Sequence, residues 1–419
     1  MSRSLLILQD SPDFGGHEAM FLRFLPTLLE SRDFDRIVVR HPTANAKLAE
    51  RLRPHVSDRF AVMPWDFTKQ RAEPYLGGFR RSYAQAVRKA FADVRPSATL
   101  LLQGRIENCV VPLLAAPRDS FVVSYVPMAH RMVELGRRAV PGDWVRRRLY
   151  RRPDRFIVPS SAVVEQVRAA GGTAPVVVAD NIVAPPPQPA RAQARQALGL
   201  DPDSRVALFL GRLDIRQKGL DTLAAAIRRS AAQLEGWTFV IVGSGEGEAD
   251  FDQLRRDLAG RVDIRCSAWT DTPHATLAAA DLLLMPSRWE GVPLVMLEAM
   301  TYGIPVLASQ IDVFRAYLPP ANRIDFAQAD LADAMARAIA PAGLADYRRH
   351  ADARLRETDL QRSATRFVEA LRPDGVRHDR ERHHSHAERD RAYRGVARHA
   401  VARAAIGGRR DTGRRWRQP

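Results

Sequence analysis

Residues 281–309 read DLLLMPSRWEGVPLVMLEAMTYGIPVLAS. Two short apolar runs, DLLLMP and IPVLAS, have the length and the Leu, Val and Ile content of strands, and a stretch with helical spacing separates them. Pro293 suits the first helical position, where its missing N–H leaves no bond unmade, and Gly303 suits the helix end. Strands that read as unbroken apolar runs are covered on both faces, as in a parallel sheet flanked by helices. Glu290 then stands on the loop at the carboxyl end of the first strand, and Glu298 about five residues into the helix. Leu294, Val295, Leu297 and Met300 surround Glu298 with apolar side chains, so this acid calls for hydrogen-bond donors, from a ligand's hydroxyl groups or from an arginine inside the core.

Working outward, the same alternation fills most of the chain. Strands are expected at 4–8, 36–40, 59–63, 98–102, 121–126, 155–158 and 175–179, with helices in GHEAMFLRFLPTLLE, GFRRSYAQAVRKAFADV and SAVVEQVRAAG. APPPQPARAQ at 184–193 interrupts this, because prolines remove backbone donors and block helix and central strand alike. The alternation restarts with RVALFL at 205–210 and runs through TFVIVG, RVDIRC, DLLLMP and IPVLAS. The expectation is an α/β protein with two Rossmann-like, doubly wound domains facing across a cleft: 1–183, a linker at 184–198, 199–355, a final helix within 356–372 that returns to the first domain, and a basic disordered tail at 373–419. Ligands of open α/β sheets sit at the carboxyl ends of the strands, which places the site between the domains.

With 419 residues, 46% of them hydrophobic, both cores can be filled. The two cysteines, Cys109 and Cys266, are far apart and read as buried thiols in a reducing cytosol. The formal charge is +16, but the tail beyond residue 372 holds 13 arginines against 6 acids and exaggerates it. No helix-turn-helix, zinc-finger or aromatic RNP-like pattern accompanies this charge, so nucleic acid is not an expected partner. The opening RSLLILQD is too short and strand-like for a signal peptide, and no run of about 20 apolar residues offers a membrane span. A soluble cytoplasmic protein is expected, with possible peripheral contact at the inner face of an anionic membrane through RRRLYRRPDR (146–155) and the tail.

Chemistry concentrates in the second half. Gly211, Arg212 and Lys218 lie in LFLGRLDIRQKGLDTL, directly after a strand, and a helix starting near Lys218 aims its free amides at the same place. Two cations and a helix N-terminus at one crevice suit a diphosphate. Four lysines among 64 basic residues make a lysine at 218 unusual, since arginine supplies nearly every other positive charge. In IVGSGEGEADFDQL the glycines at 243, 245 and 247 are spaced GxGxG, which argues against a nicotinamide dinucleotide and for a tight turn beside a nucleotide. The amides of Gly291, Val292, Pro293 and Leu294 (the proline contributing only its carbonyl) frame a turn suited to phosphate or sugar oxygens. His130, in SYVPMAHRM, follows a strand of the first domain and can face the cleft.

Together GRLDIRQKGLDTL, IVGSGEGEADFDQL and PSRWEGVPLVMLEAMTYGIPVLAS resemble, in order and spacing, the retaining family-4 glycosyltransferases with the glycosyltransferase-B fold. The likeness extends over about residues 4–372 and includes the FGGHE loop, the VPSSAVVEQVR unit and Asn181, where the family's usual Asn-Gly pair is Asn181-Ile182. It implies transfer of a sugar from a nucleotide-diphospho-sugar, such as a UDP- or GDP-sugar, to an acceptor of lipid-linked or polysaccharide-precursor type, with retention. By this resemblance Arg212 and Lys218 hold the diphosphate, Glu298 the ribose and Glu290 the transferring sugar, helped by the amides of the GVPL turn. His130 then contacts the sugar near its reacting carbon, and Gly15 and Gly16 approach the donor phosphates from the opposite wall. Asp-x-Asp occurs at 33–35, 201–203 and 250–252, away from strand ends beside these motifs, so no metal ligands and no cofactor are expected and the cations meet the leaving-group charge. Competing expectations are a nucleotide-sugar epimerase on the same fold and a catalytically silent membrane-associated scaffold.

Overall fold

The computed structural model describes residues 3–70, 73–76, 80–131, 140–270 and 272–373. The tail expected to be disordered lies, from residue 374, outside the described residues.

Seven strands form the first sheet: β1 (Ser4–Leu8), β2 (Arg36–Pro42), β3 (Phe60–Trp65), β4 (Ala98–Leu102), β5 (Phe121–Tyr125), β6 (Arg155–Val158) and β7 (Val176–Val178). Five more form the second: β8 (Arg205–Leu210), β9 (Trp237–Val242), β10 (Asp263–Ser267), β11 (Leu282–Met285) and β12 (Val306–Ala308). The spatial orders are β3-β2-β1-β4-β5-β6-β7 and β10-β9-β8-β11-β12, and every pairing is parallel. Alternate residues of a strand feed opposite cores. In β8, Val206, Leu208 and Leu210 pack on one face while Ala207 and Phe209 pack on the other, which is why the strand reads as unbroken apolar sequence.

The strand order reverses between β1 and β4 in the first sheet and between β8 and β11 in the second. Loops leaving these neighbouring strands diverge and open a crevice at their carboxyl ends. Gly15 and Gly16 follow β1, His130 follows β5, Arg212 follows β8, and Ser287 to Leu294 follow β11. Each sequence-predicted residue except Lys218 and Glu298 thus belongs to a loop or helix start at the carboxyl end of a strand at or next to a reversal, and Lys218 ends the short helix that follows β8.

Helix Leu360–Glu369 returns to the first domain. Its Phe367 ring lies 4.9 Å from Phe24 and 5.8 Å from Tyr125, and Arg155 donates to the carbonyls of Ala370 and Arg372, both at 2.9 Å. Three details depart from the sequence reading. The segment read as linker contains helix Arg191–Ala197, whose buried Arg195 pairs with Asp281 at 2.8 Å, so its second half is part of the second domain. Cys109 is buried as expected, whereas Cys266, near the end of the edge strand β10, is exposed. Arg146 is 5% exposed and paired with Glu107, and Arg155 is buried against the last helix, so two of the arginines offered to a membrane are engaged inside the protein.

Candidate active site between the domains

Short Asp214-capped helix Ile215–Lys218 follows β8; the Asp214 side chain accepts from the Gln217 amide at 2.8 Å. Gly219, with φ +65°, ends that turn and begins helix Leu220–Arg229. Lys218 therefore ends one helix instead of starting another, a correction caused by the left-handed glycine that follows it. The amides of the longer helix still begin beside it. Gly243 belongs to the turn that braces this segment: Gly211 N–H donates to the Val242 carbonyl, Leu213 N–H to Ser244 and Gly247 N–H to Leu213. The glycine-rich turn thus shapes the backbone that carries Arg212.

Glu290 and Lys218 meet directly. Lys218 Nζ donates to Glu290 Oε1 at 2.5 Å, and Ser287 Oγ donates to the same oxygen at 2.7 Å. Glu290 is only 4% exposed, so the pair satisfies a charge that burial alone would penalise. Arg212 extends the set: it donates to Gln217 Oε1 at 3.0 Å, while Gln217 Nε2 donates to the Trp289 carbonyl at 3.4 Å. The Arg212 side chain remains 64% exposed toward solvent. Ser287 and Gln217 escaped the sequence reading, because an isolated hydroxyl or amide has no spacing signature and its role comes only from what folds against it.

The first domain closes on this loop at three points. His130 Nε2 donates to the Glu290 carbonyl at 3.1 Å, Asn181 Nδ2 donates to the Val292 carbonyl at 2.9 Å, and Gly291 lies so close to the Pro127 carbonyl that a Cβ there would overlap it. Gly16 faces Leu294, whose Cδ1 lies 3.9 Å from where a Cβ of Gly16 would be, so the FGGHE loop and the GVPL turn are in contact across the cleft. Glu18 anchors that loop. Its carboxylate accepts from Gln9 Nε2 at 2.7 Å and from Gly15 N at 2.8 Å; the upward push of burial is outweighed by His17 beside it and by backbone amides including that of Gly15, leaving its pKa below the ordinary range.

Glu298 stands apart. Helix Leu294–Thr301 begins one residue later than the sequence suggested, with Pro293 just before it, and buries Met296, Leu297, Ala299 and Met300. The Glu298 carboxylate is half-buried and has no hydrogen bond or ion pair among the described residues; burial raises its pKa, with Arg23 of the first domain as the opposing charge. The arginine pair inside the core, one of its two expected partners, does not form. Among the described residues no group of three or more His, Cys, Asp and Glu is arranged to hold a metal ion.

Residues 204–342 match the family described as glycosyl transferases group 1. A phosphatidyl-myo-inositol mannosyltransferase of Mycolicibacterium smegmatis is 34% identical over 145 residues, covering 34% of this chain and 36% of its own length. A D-inositol 3-phosphate glycosyltransferase of Segniliparus rotundus is 35% identical over 127 residues, covering 29% of this chain and 28% of its own. The chain thus matches about a third of the length of these curated relatives. Among solved structures, Anabaena HepE in complex with UDP and glucose superposes with a TM-score of 0.67 at 19% identity, covering 88% of this chain and 99% of that one. WaaG, a glycosyltransferase involved in lipopolysaccharide biosynthesis, gives 0.63 at 17% identity, covering 88% and 100%. The sheet orders, the facing loops and these likenesses lead to one assignment: the chain has the glycosyltransferase-B fold, and its residues 204–342 are similar to the glycosyl transferases group 1.

Proposed function

We propose that this protein is a glycosyltransferase that moves a hexosyl group from a nucleotide-diphospho-sugar to an acceptor hydroxyl with retention of anomeric configuration. The bond from the sugar's anomeric carbon to the diphosphate breaks, the acceptor oxygen bonds to the same carbon, and the acceptor's proton leaves with the nucleoside diphosphate. Arg212 and Lys218 stabilise the charge that develops on the leaving diphosphate, in place of a metal ion. Glu290 orients the sugar, His130 donates to a sugar hydroxyl, and Glu298 accepts from the ribose. The observation that carries the reading is the Lys218 and Glu290 pair on the loop where the two sheets face each other, with His130 docked on Glu290 from the opposite domain.

A UDP-sugar or GDP-sugar is the proposed donor, and a lipid-linked or polysaccharide precursor the proposed acceptor. Peripheral contact with an anionic membrane is part of the same proposal. No helix among the described residues is long and apolar enough to cross a membrane, while Trp144, stacked under Arg148 at 3.4 Å, and Arg147 and Arg151 remain on the surface. Thermal-shift screening against UDP-, GDP- and ADP-sugars, then product-anomer analysis by NMR with and without EDTA, tests the donor, the stereochemistry and the metal independence separately. Conversion of a nucleotide sugar into a mass-neutral product in the absence of acceptor would instead identify an epimerase.

A further inference from the structure

Arg105 lies on the loop after β4, the strand beside the sheet reversal of the first domain. The loop is firmly built: Gln103 Nε2 donates to the Asn108 carbonyl at 2.5 Å and Arg105 N donates to Asn108 Oδ1 at 3.2 Å. Gly104 packs against the ring of His17, so Arg105 stands next to the FGGHE loop. Its guanidinium is half-buried and makes no hydrogen bond or ion pair among the described residues. Glu107, the acid two residues away, is engaged by Arg146.

Arg105 faces a pocket shared with Glu107, Met128, His130, Arg146, Tyr150 and Trp289, in which the Glu107 carboxylate is engaged by Arg146. Trp289 is 8% exposed, and its indole Nε1 has no acceptor among the described residues. Burial disfavours the charged form of Arg105; Glu107 opposes this most, and Arg146 and then Arg212 add to it. Arg105 of the first domain and the buried Trp289 indole of the second thus line one pocket as donors that have no acceptor among the described residues. Donors of this kind lack one thing, a shared acceptor, and a negatively charged one satisfies both at once.

We propose that Arg105 is a substrate-binding residue which, with Trp289 Nε1, holds an anionic oxygen group, a phosphate or a carboxylate, across the cleft. This rests on the donor reading of the same site and adds a contact from the first domain. The group is either the donor's diphosphate or an anion carried by the acceptor. Whichever it is, both domains grip one ligand, and cleft closure depends on it.

Calorimetric titration of the full chain with UDP (GDP in parallel), with the matching nucleoside, and with inorganic phosphate before and after saturation by the nucleotide tests this in the wild type, Arg105→Gln and Arg105→Lys. About a 10-fold or greater loss of UDP or GDP affinity in Arg105→Gln, with the nucleoside unaffected and partial recovery in Arg105→Lys, supports the proposal and assigns the group to the donor diphosphate. Unchanged nucleotide affinity, with inorganic phosphate binding to the nucleotide complex lost, supports it and assigns the group to the acceptor. A structural role would lower the melting temperature of the ligand-free variant; removal of an unmatched cation leaves it equal or raises it. Wild-type behaviour of Arg105→Gln toward all probes, or parallel loss of nucleoside affinity, overturns the proposal. If the wild type binds neither UDP nor GDP, the donor reading fails on its own, while phosphate binding and its loss in Arg105→Gln still decide the role of Arg105. Absence of phosphate binding as well overturns both.

Discussion

Lys218 Nζ and Glu290 Oε1 are 2.5 Å apart, joining the short helix after β8 to the loop after β11. Sequence motifs treat the two as separate contacts, one to the donor's diphosphate and one to its sugar. The fold makes them one unit, in which each residue sets the position of the other.

Removing one partner therefore has two effects. Lys218→Ala leaves Glu290 with Ser287 as its remaining side-chain donor, and the variant is expected to lose about 1–3 kcal/mol of stability in urea unfolding. Turnover efficiency should fall about 10- to 100-fold as well, through lost stabilisation of the diphosphate. Adding Glu290→Gln to Lys218→Ala is expected to restore most of the stability and none of the turnover. A double variant as unstable as Lys218→Ala would show that the pair is not the cause.

Glu298 should behave differently, since no residue depends on it. Glu298→Gln is expected to weaken nucleoside binding, whereas Glu290→Gln chiefly impairs sugar transfer at near-normal nucleotide affinity. Burial raises the folded-state pKa of Glu298, so the fold favours its neutral form: the associated stability is complete in acid and is lost as pH rises through that raised value. Glu298→Gln should then be at least as stable as the wild type at neutral pH. Donor affinity of the wild type should decline as the pH is lowered toward the raised value, a decline that calorimetry at several pH values would detect and that Glu298→Gln should lack.

Beneath the first domain's loops lies a second pair of acids. Burial, opposed by the Cys109 amide that donates to it at 2.7 Å, lifts Asp10 from 3.8 to about 6; burial and then Asp10 itself lift Glu73 from 4.5 to about 7, against the Arg80 ion pair. Both folded-state values are raised, so the protonated forms stabilise the fold below about pH 4, and this contribution is lost as pH rises through 6 to 7. Asp10→Asn keeps a side-chain acceptor for Cys109 and is expected to be more stable than the wild type at pH 8, with a flatter stability curve between pH 4 and 8. Chemical unfolding across this range measures it; a wild type whose stability rises between pH 5 and 8 in step with Asp10→Asn would refute the assignment.

Domain closure depends on backbone proximity at Gly291. A Cβ there would collide with the Pro127 carbonyl, so Gly291→Ala should part the domains at His130 and Asn181 without disturbing either core. Small-angle scattering is expected to show a more open molecule, with turnover reduced about 100-fold because His130 and Glu290 no longer share a ligand. Asn181→Ala removes one hydrogen bond of the same contact and should cost less, about 10-fold.

By itself the sequence determined the two sheets. Strands β1, β4, β6 and β8 lie where their apolar runs begin and end, because a strand covered on both faces must be apolar throughout and a glycine, proline or polar turn must stop it. Arg212, Lys218, Glu290 and His130 were legible for a related reason: they occupy loops whose positions follow from those strands. Only tertiary structure decided how the residues combine. Spacing along the chain carries no record of which loops meet, so the sharing of Glu290 between Lys218 and Ser287, the docking of His130 on its carbonyl, and the burial of Arg146 away from the surface followed from the packing of distant segments. Arg105 is the clearest case. In sequence it is one arginine among many, and its significance arises from the pocket it shares with Trp289 and the partner it lacks, both set by how the first domain closes over the second.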